Sequence, residues 1–216
     1  MLVEGQTEER FVKEVLAPHL WDLGLHVDPK ILVTKHVKRG PDFKGGIHSF
    51  GQLQRDLSRL LADTGAVLVT TMFDLYGLPA DFPGMSTAHG LSGRQKADHI
   101  EAALQQHFGT QKLSAFIMVH EFEAFAYADP QITARTLQAP EHQAALQAER
   151  DTFPTAEDIN DGIDTHPSRR IRQRFPQYQK VLFGPAIAHA VGLPKLRHAC
   201  PHFSQWLDRL AASAGA

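Results

Sequence analysis

Three apolar runs that each close on an acid constrain this chain most. Leu2-Val3 leads into Glu4-Gly5. The run from Ala66 to Phe73 leads into Asp74, and Ala115 to Val119 leads into His120-Glu121-Phe122-Glu123. Apolar, β-branched runs of this kind mark strands covered on both faces. Between them, apolar residues recur at helical spacing: Phe11, Val12, Val15, Leu16 and Leu20, then Leu53, Leu57, Leu60 and Leu61, then Ala97, Ile100, Ala103, Leu104 and Phe108. Ile31 to Val37 predicts a further strand, and the stretch from Lys38 to Gly46 a basic, glycine-rich loop. This alternation predicts an α/β fold: a mostly parallel sheet with helices on both faces. Beyond residue 127 the strand signals fade, and segments around 130–150, 168–175 and 185–212 look helical between prolines. The expected organisation is an α/β core over 1–127, with a helical extension over 128–216 packed on the same domain.

Composition narrows the class. Of 216 residues, 43% are hydrophobic and 21% charged, enough for a buried core and unlike a disordered chain. No apolar run approaches the ~20 residues of a membrane span, and the N-terminus lacks a signal-peptide pattern. The one cysteine, Cys200, excludes an intrachain disulfide and a cysteine-rich zinc site. A cytoplasmic protein with no membrane partner is the expectation. A net charge of −2 argues against a globally basic nucleic-acid binder. The 13 histidines are scattered without an HExxH pattern, and most of them read as surface or capping residues rather than metal ligands.

The acids carry the functional signal. In parallel α/β sheets the carboxyl ends of the strands share one edge, where ligands bind. Glu4, Glu8, Asp74, Glu121 and Glu123 are therefore expected to converge, and their mutual repulsion calls for a bound cation. Oxygen donors suit Mg2+ or Mn2+. Each acid also has a plainer reading. Glu8 suits the opening turn of a helix, Asp74 suits a loop cap before Tyr76-Gly77-Leu78-Pro79, and Glu121 and Glu123 suit an exposed edge. The last two share a face if the chain stays extended and splay apart in a helix.

Val3-Glu4-Gly5-Gln6-Thr7-Glu8 resembles the first motif of Toprim domains, the fold of topoisomerases, primases and overcoming-lysogenization-defect nucleases. The whole chain more closely resembles the bacterial DUF4276 family, grouped with Toprim-like proteins. The matching segments are that motif, Phe73-Asp74-Leu75-Tyr76-Gly77-Leu78-Pro79, His120-Glu121-Phe122-Glu123-Ala124-Phe125, Glu157-Asp158-Ile159-Asn160, and Pro167-Ser168-Arg169-Arg170 leading to Tyr178-Gln179-Lys180. The resemblance implies a Toprim-like fold with Glu4 and Glu8 as metal ligands and Asp74 as the first acid of an Asp-x-Asp motif. It also implies a metal-dependent nuclease, with a role beside an ATPase partner in anti-phage defence. Tyr76 stands where the second Asp would be, so one ligand is missing or Glu121 and Glu123 replace it. Only Leu2 and Val3 precede Glu4, so a very short first strand is expected; a true start upstream of Met1 would account for it.

A second signal is a reversal of charge. Between His166 and Lys180 lie Arg169, Arg170, Arg172, Arg174 and Lys180 with no acid, after a stretch holding Asp151, Glu157, Asp158, Asp161 and Asp164 with no Lys or Arg. The arginines suit phosphate contacts to nucleic acid, or form a solvated helix face paired to those acids. Lys180 suits stabilisation of charge developing at a metal-bound phosphate, or is a surface lysine following a helix. The catalytic candidates are Glu4, Asp74 and Lys180. A non-catalytic binding module that keeps the same fold is the alternative.

Overall fold

The computed structural model describes residues 1–32, 47–160 and 165–215. The predicted basic loop and most of the Ile31–Val37 strand lie outside those residues, as do Asp161 and Asp164. Five strands form the sheet: β1 (Leu2–Val3), β2 (Lys30–Ile31), β3 (Val69–Asp74), β4 (Leu113–Ser114) and β5 (Ile117–Met118). Their order is β2-β1-β3-β4, with β5 also paired to β3, and each pairing is parallel. The two residues of β1 therefore sit centrally, Val3 opposite Met72, with β2 outside them.

The apolar run at 115–119 does not form one unbroken strand. β4 and β5 are two halves of a strand interrupted at Ala115-Phe116, and the side chain of Thr71 fills the gap. Its hydroxyl accepts the Phe116 N–H at 2.9 Å and donates to the Phe116 carbonyl at 2.9 Å. Thr71→Val keeps the shape but strands two buried backbone groups. It should lower stability by about 1–3 kcal/mol in urea denaturation, whereas an unchanged midpoint would mean that the hydroxyl bridges nothing.

Side-chain alternation sends each strand to both faces. Leu2, Val69, Phe73, Leu113 and Ile117 pack with Leu53 and Leu57 of α3 (Phe50–Ala62) and with Ala97, Ile100 and Leu104 of α4 (Gly93–Phe108). Val3, Met72, Phe116 and Met118 face the other way. There they meet α1 (Gln6–Phe11), a π-helical segment (Val12–Leu16) and α2 (Ala17–Asp22). The π segment runs into Pro18, which has no N–H to donate to the preceding turn.

The C-terminal part is helical: α5 (Pro130–Thr136), α6 (Gln143–Arg150), α7 (Pro167–Arg174), α8 (Lys180–Val191), α9 (Leu193–Ala199) and α10 (Pro201–Ala212). It packs directly on the sheet. The Trp206 ring is fully buried against Phe116, with centroids 4.3 Å apart, and its indole N–H donates to Thr70 Oγ1 at 2.9 Å. Glu157 is buried and accepts the N–H groups of His202 and Phe203, so it caps α10. Among the described residues no helix is long and apolar enough to cross a membrane.

Candidate metal centre

The carboxyl ends of β1, β3 and β5 bring the five acids and Lys180 together. Glu4 follows Val3 directly, and its Oε2 accepts the Asp74 N–H at 3.1 Å. That bond joins the tips of two adjacent strands. Asp74 closes β3: Oδ1 accepts the Phe122 N–H at 3.0 Å and Oδ2 accepts from Lys180 Nζ at 2.8 Å. Gly77 lies beside Glu4, at ordinary contact distance from its carboxylate. Glu8 enters from the first turn of α1 and lies 3.8 Å from Lys180 Nζ.

After β5 the chain turns sharply. His120 adopts φ 64°, a left-handed backbone uncommon outside glycine, although His is enriched among the exceptions. The Tyr76 N–H donates to the His120 carbonyl at 3.0 Å, and the Asn160 amide lies 2.9 Å from His120 Nδ1. Glu121 is extended and leads into a 3-10 helix over Phe122–Tyr127. Glu121 and Glu123 therefore diverge, yet both stay in the cluster. Glu121 accepts the Ser168 N–H at the start of α7, while Glu123 Oε2 lies 3.3 Å from Lys180 Nζ and Oε1 accepts from the Tyr178 hydroxyl at 3.5 Å. Neither residue is an exposed edge acid, because both are buried.

Lys180 opens α8 rather than following a helix, and local chemistry explains how that helix reaches the site. Gly184 lets α8 approach closely: an added Cβ would come within 3.1 Å of Phe122 and 3.2 Å of Thr7. Pro185 deprives the Val181 carbonyl of its helical donor, and the Arg10 guanidinium supplies one at 2.8 Å. The lysine side chain is 27% exposed, against 4% for Glu8 and 0% for Glu123, so of the three it has the most contact with solvent.

One ammonium beside this many carboxylates leaves negative charge uncompensated. Burial, then the Asp74 and Glu8 carboxylates, push Glu4 up to about 8. Burial pushes Glu8 up to about 7, with Lys180 opposing and Asp74 adding. Glu123 rises to about 7 for the same first reason, Lys180 again opposing and Glu121 and Asp74 adding. Glu121 is also raised by burial, against the pull of the Ser168 amide. Burial would lower the Lys180 pKa, but Asp74, Glu123 and Glu8 hold it well above its ordinary value. Glu123 Oε2 is buried, with the Lys180 ammonium 3.3 Å away as its counter-ion. An all-oxygen donor set with surplus negative charge is of the kind that suits a hard divalent cation.

The arginine segment divides in two. Arg169 and Arg172, with His166 and Gln173, line a cavity of about 300 Å³ on one face of α7. Arg170 and Arg174 turn the other way. Arg170 donates to the Thr165 carbonyl and lies 5.7 Å over the Phe153 ring, while Arg174 pairs with Glu149. Glu149 stands on α6.

A group that the sequence did not reveal lies between α4 and α10. Asp98, Glu101 and His202 place one ligand atom each within 4.8 Å of one another, so they could hold a metal ion. His202 Nε2 is 2.8 Å from Glu101 Oε1 and Nδ1 is 3.3 Å from Asp98 Oδ1. Burial would lower the His202 pKa, but the Glu101 hydrogen bond and charge, with help from Glu157 and Asp98, raise it instead. His202 is fully buried, so it is not among the histidines, the majority, for which a surface or capping role is expected. Asp98 and Glu101 are three apart on one helix, a readable pair, but only tertiary packing supplies the histidine.

The fold and this edge define an α/β protein whose parallel sheet ends in a buried carboxylate cluster. The chain belongs to the family described as a domain of unknown function, DUF4276, whose model matches residues 3–211 and so spans every residue of that cluster. No curated protein and no solved structure matches it.

Proposed function

We propose that the sheet edge is a divalent-cation site for hydrolysis of phosphodiesters in nucleic acid, of the Toprim-like type, with Glu4, Glu8, Asp74, Glu121 and Glu123 as ligands for Mg2+ or Mn2+. The observation that carries this reading is the convergence of these acids around Lys180 Nζ, which lies 2.8 Å from Asp74, 3.3 Å from Glu123 and 3.8 Å from Glu8. When bound, the cation supplies Lewis acidity at a phosphoryl oxygen and makes a water more acidic. Glu4 ties the tips of two strands together by accepting the Asp74 N–H, and in its ionised form would hold the cation as a ligand. Asp74 orients Lys180 and fixes the Phe122 amide. Lys180, held well above its ordinary pKa, stays protonated and offers its charge to a phosphate in the transition state.

The second reading is a binding module that cuts nothing. It is favoured by the lysine itself, an internal counter-ion already in place, and by Tyr76 at the position of a second Asp. The test is cleavage of labelled DNA and RNA in Mg2+ or Mn2+. The family resemblance adds an ATPase partner in anti-phage defence, so the assay is run with and without that partner. The hydrolase reading expects metal-dependent cleavage that Glu4→Gln abolishes. Lys180→Ala should lower kcat about a hundredfold or more while KM changes little. No cleavage under any of these conditions supports the binding module.

A further inference from the structure

We infer that Tyr76 and His166, with Arg169 and Arg172, form a cradle for an unpaired nucleotide of single-stranded nucleic acid beside the carboxylate cluster. The inference rests on the hydrolase reading only for the fate of the strand, because different residues build the cradle.

Tyr76 lies in the 3-10 turn Leu75–Gly77 that follows Asp74. Leu75 is buried, yet Tyr76 is 50% exposed, which its own packing does not explain. It stacks on an imidazole, that of His166, at 5.0 Å between centroids with planes 26° apart. His166 precedes α7, and its Nδ1 has no hydrogen-bond partner among the described residues. The same histidine lines the cavity of about 300 Å³ with Arg169, Arg172 and Gln173, a volume at the lower end of small-ligand pockets. Tyr76, His166 and the two arginines thus put flat rings and guanidinium groups side by side.

The cradle is fixed to the acids at two points. The Tyr76 N–H is bound to the carbonyl of His120, the residue before Glu121. At the other end, Ser168, two residues beyond His166, gives its N–H to Glu121. The chemistry selects an unpaired base. Every base has a π-face that an aromatic ring can stack on, guanidinium groups take the phosphates, and a duplex hides the faces inside its own stack. The departure from the Asp-x-Asp pattern at Tyr76 thereby gains a role in holding substrate.

The test is fluorescence anisotropy of the whole protein in EDTA, where no metal-dependent cleavage interferes. The probes are labelled oligothymidylate and oligouridylate of about twelve nucleotides, within the usual single-strand site sizes, and a duplex of equal length. Tyr76→Ala should weaken single-strand binding about tenfold and Tyr76→Phe should restore it. Arg172→Ala should weaken it and lower the salt slope by about one. Duplex binding should be weaker and indifferent to Tyr76→Ala. The inference is overturned if the wild type binds neither oligonucleotide or if Tyr76→Ala binds like wild type. It also falls if the duplex binds equally well with the same loss, or if thymidine monophosphate competes as well as the oligonucleotide per nucleotide. Binding without cleavage in Mn2+ would remove the hydrolase reading and leave the cradle standing. Cleavage that survives Tyr76→Ala undiminished, with unchanged binding, would do the reverse.

Discussion

Lys180→Met destabilises the metal-free protein by about 3–5 kcal/mol at pH 8, the usual result of removing one partner from a buried ion pair. The ammonium is the cation held against Asp74, Glu123 and Glu8, and all three acids are buried. Methionine fills similar volume, so the loss reports charge rather than a cavity. At pH 5 the loss should shrink, because Glu8 and Glu123, each pushed up to about 7, are protonated there and the hydrogen bond to Asp74 is what remains of the pairing. Urea denaturation of wild type and variant at both pH values measures this. An equal loss at both would assign Lys180 a packing role.

The second large effect is the pH dependence of the metal-free wild type. Glu4 titrates at an ordinary 4.5 when unfolded and at about 8 when folded. The folded chain therefore holds a proton that unfolding releases anywhere between those values. The contribution is fully present below 4.5 and is lost as pH rises through about 8. Glu8 and Glu123 act in the same direction over 4.5 to about 7. Stability should thus fall from pH 5 to pH 8, by about 1.4 kcal/mol for each unit of raised pKa that is realised. Glu4→Gln should flatten the slope and stabilise the metal-free protein at pH 8. Saturating Mn2+ should reverse the trend, because only ionised carboxylates bind it and binding favours the folded state. A flat metal-free profile would contradict the charge surplus.

The parts of this site that depend on short sequence stretches were readable. Apolar runs, each covered on both faces, end in acids, and a parallel sheet must put those ends on one edge; Glu4, Asp74 and Glu121 follow from that. The turn at Glu123 was not readable, because its 3-10 geometry depends on Asp74 receiving the Phe122 amide from another strand. Nor was the break in the last strand, which rests on one threonine hydroxyl. Lys180 was recognisable by resemblance, but its position depends on how closely Gly184 lets α8 approach Thr7 and Phe122. The split of the arginines follows helical spacing, 169 with 172 and 170 with 174, once α7 is known to lie over Glu149 and Phe153. The buried His202 carries no local signal, since its partners stand on a distant helix.

The two metal candidates among the described residues can be separated directly. Crystals grown with Mn2+ and measured at its absorption edge locate the ion by anomalous scattering. The account predicts a peak among Glu4, Glu8 and Asp74 that disappears in Glu4→Gln, with the Lys180 ammonium moved away from the carboxylates. A peak confined to Asp98, Glu101 and His202, or no peak at saturating Mn2+, would contradict it.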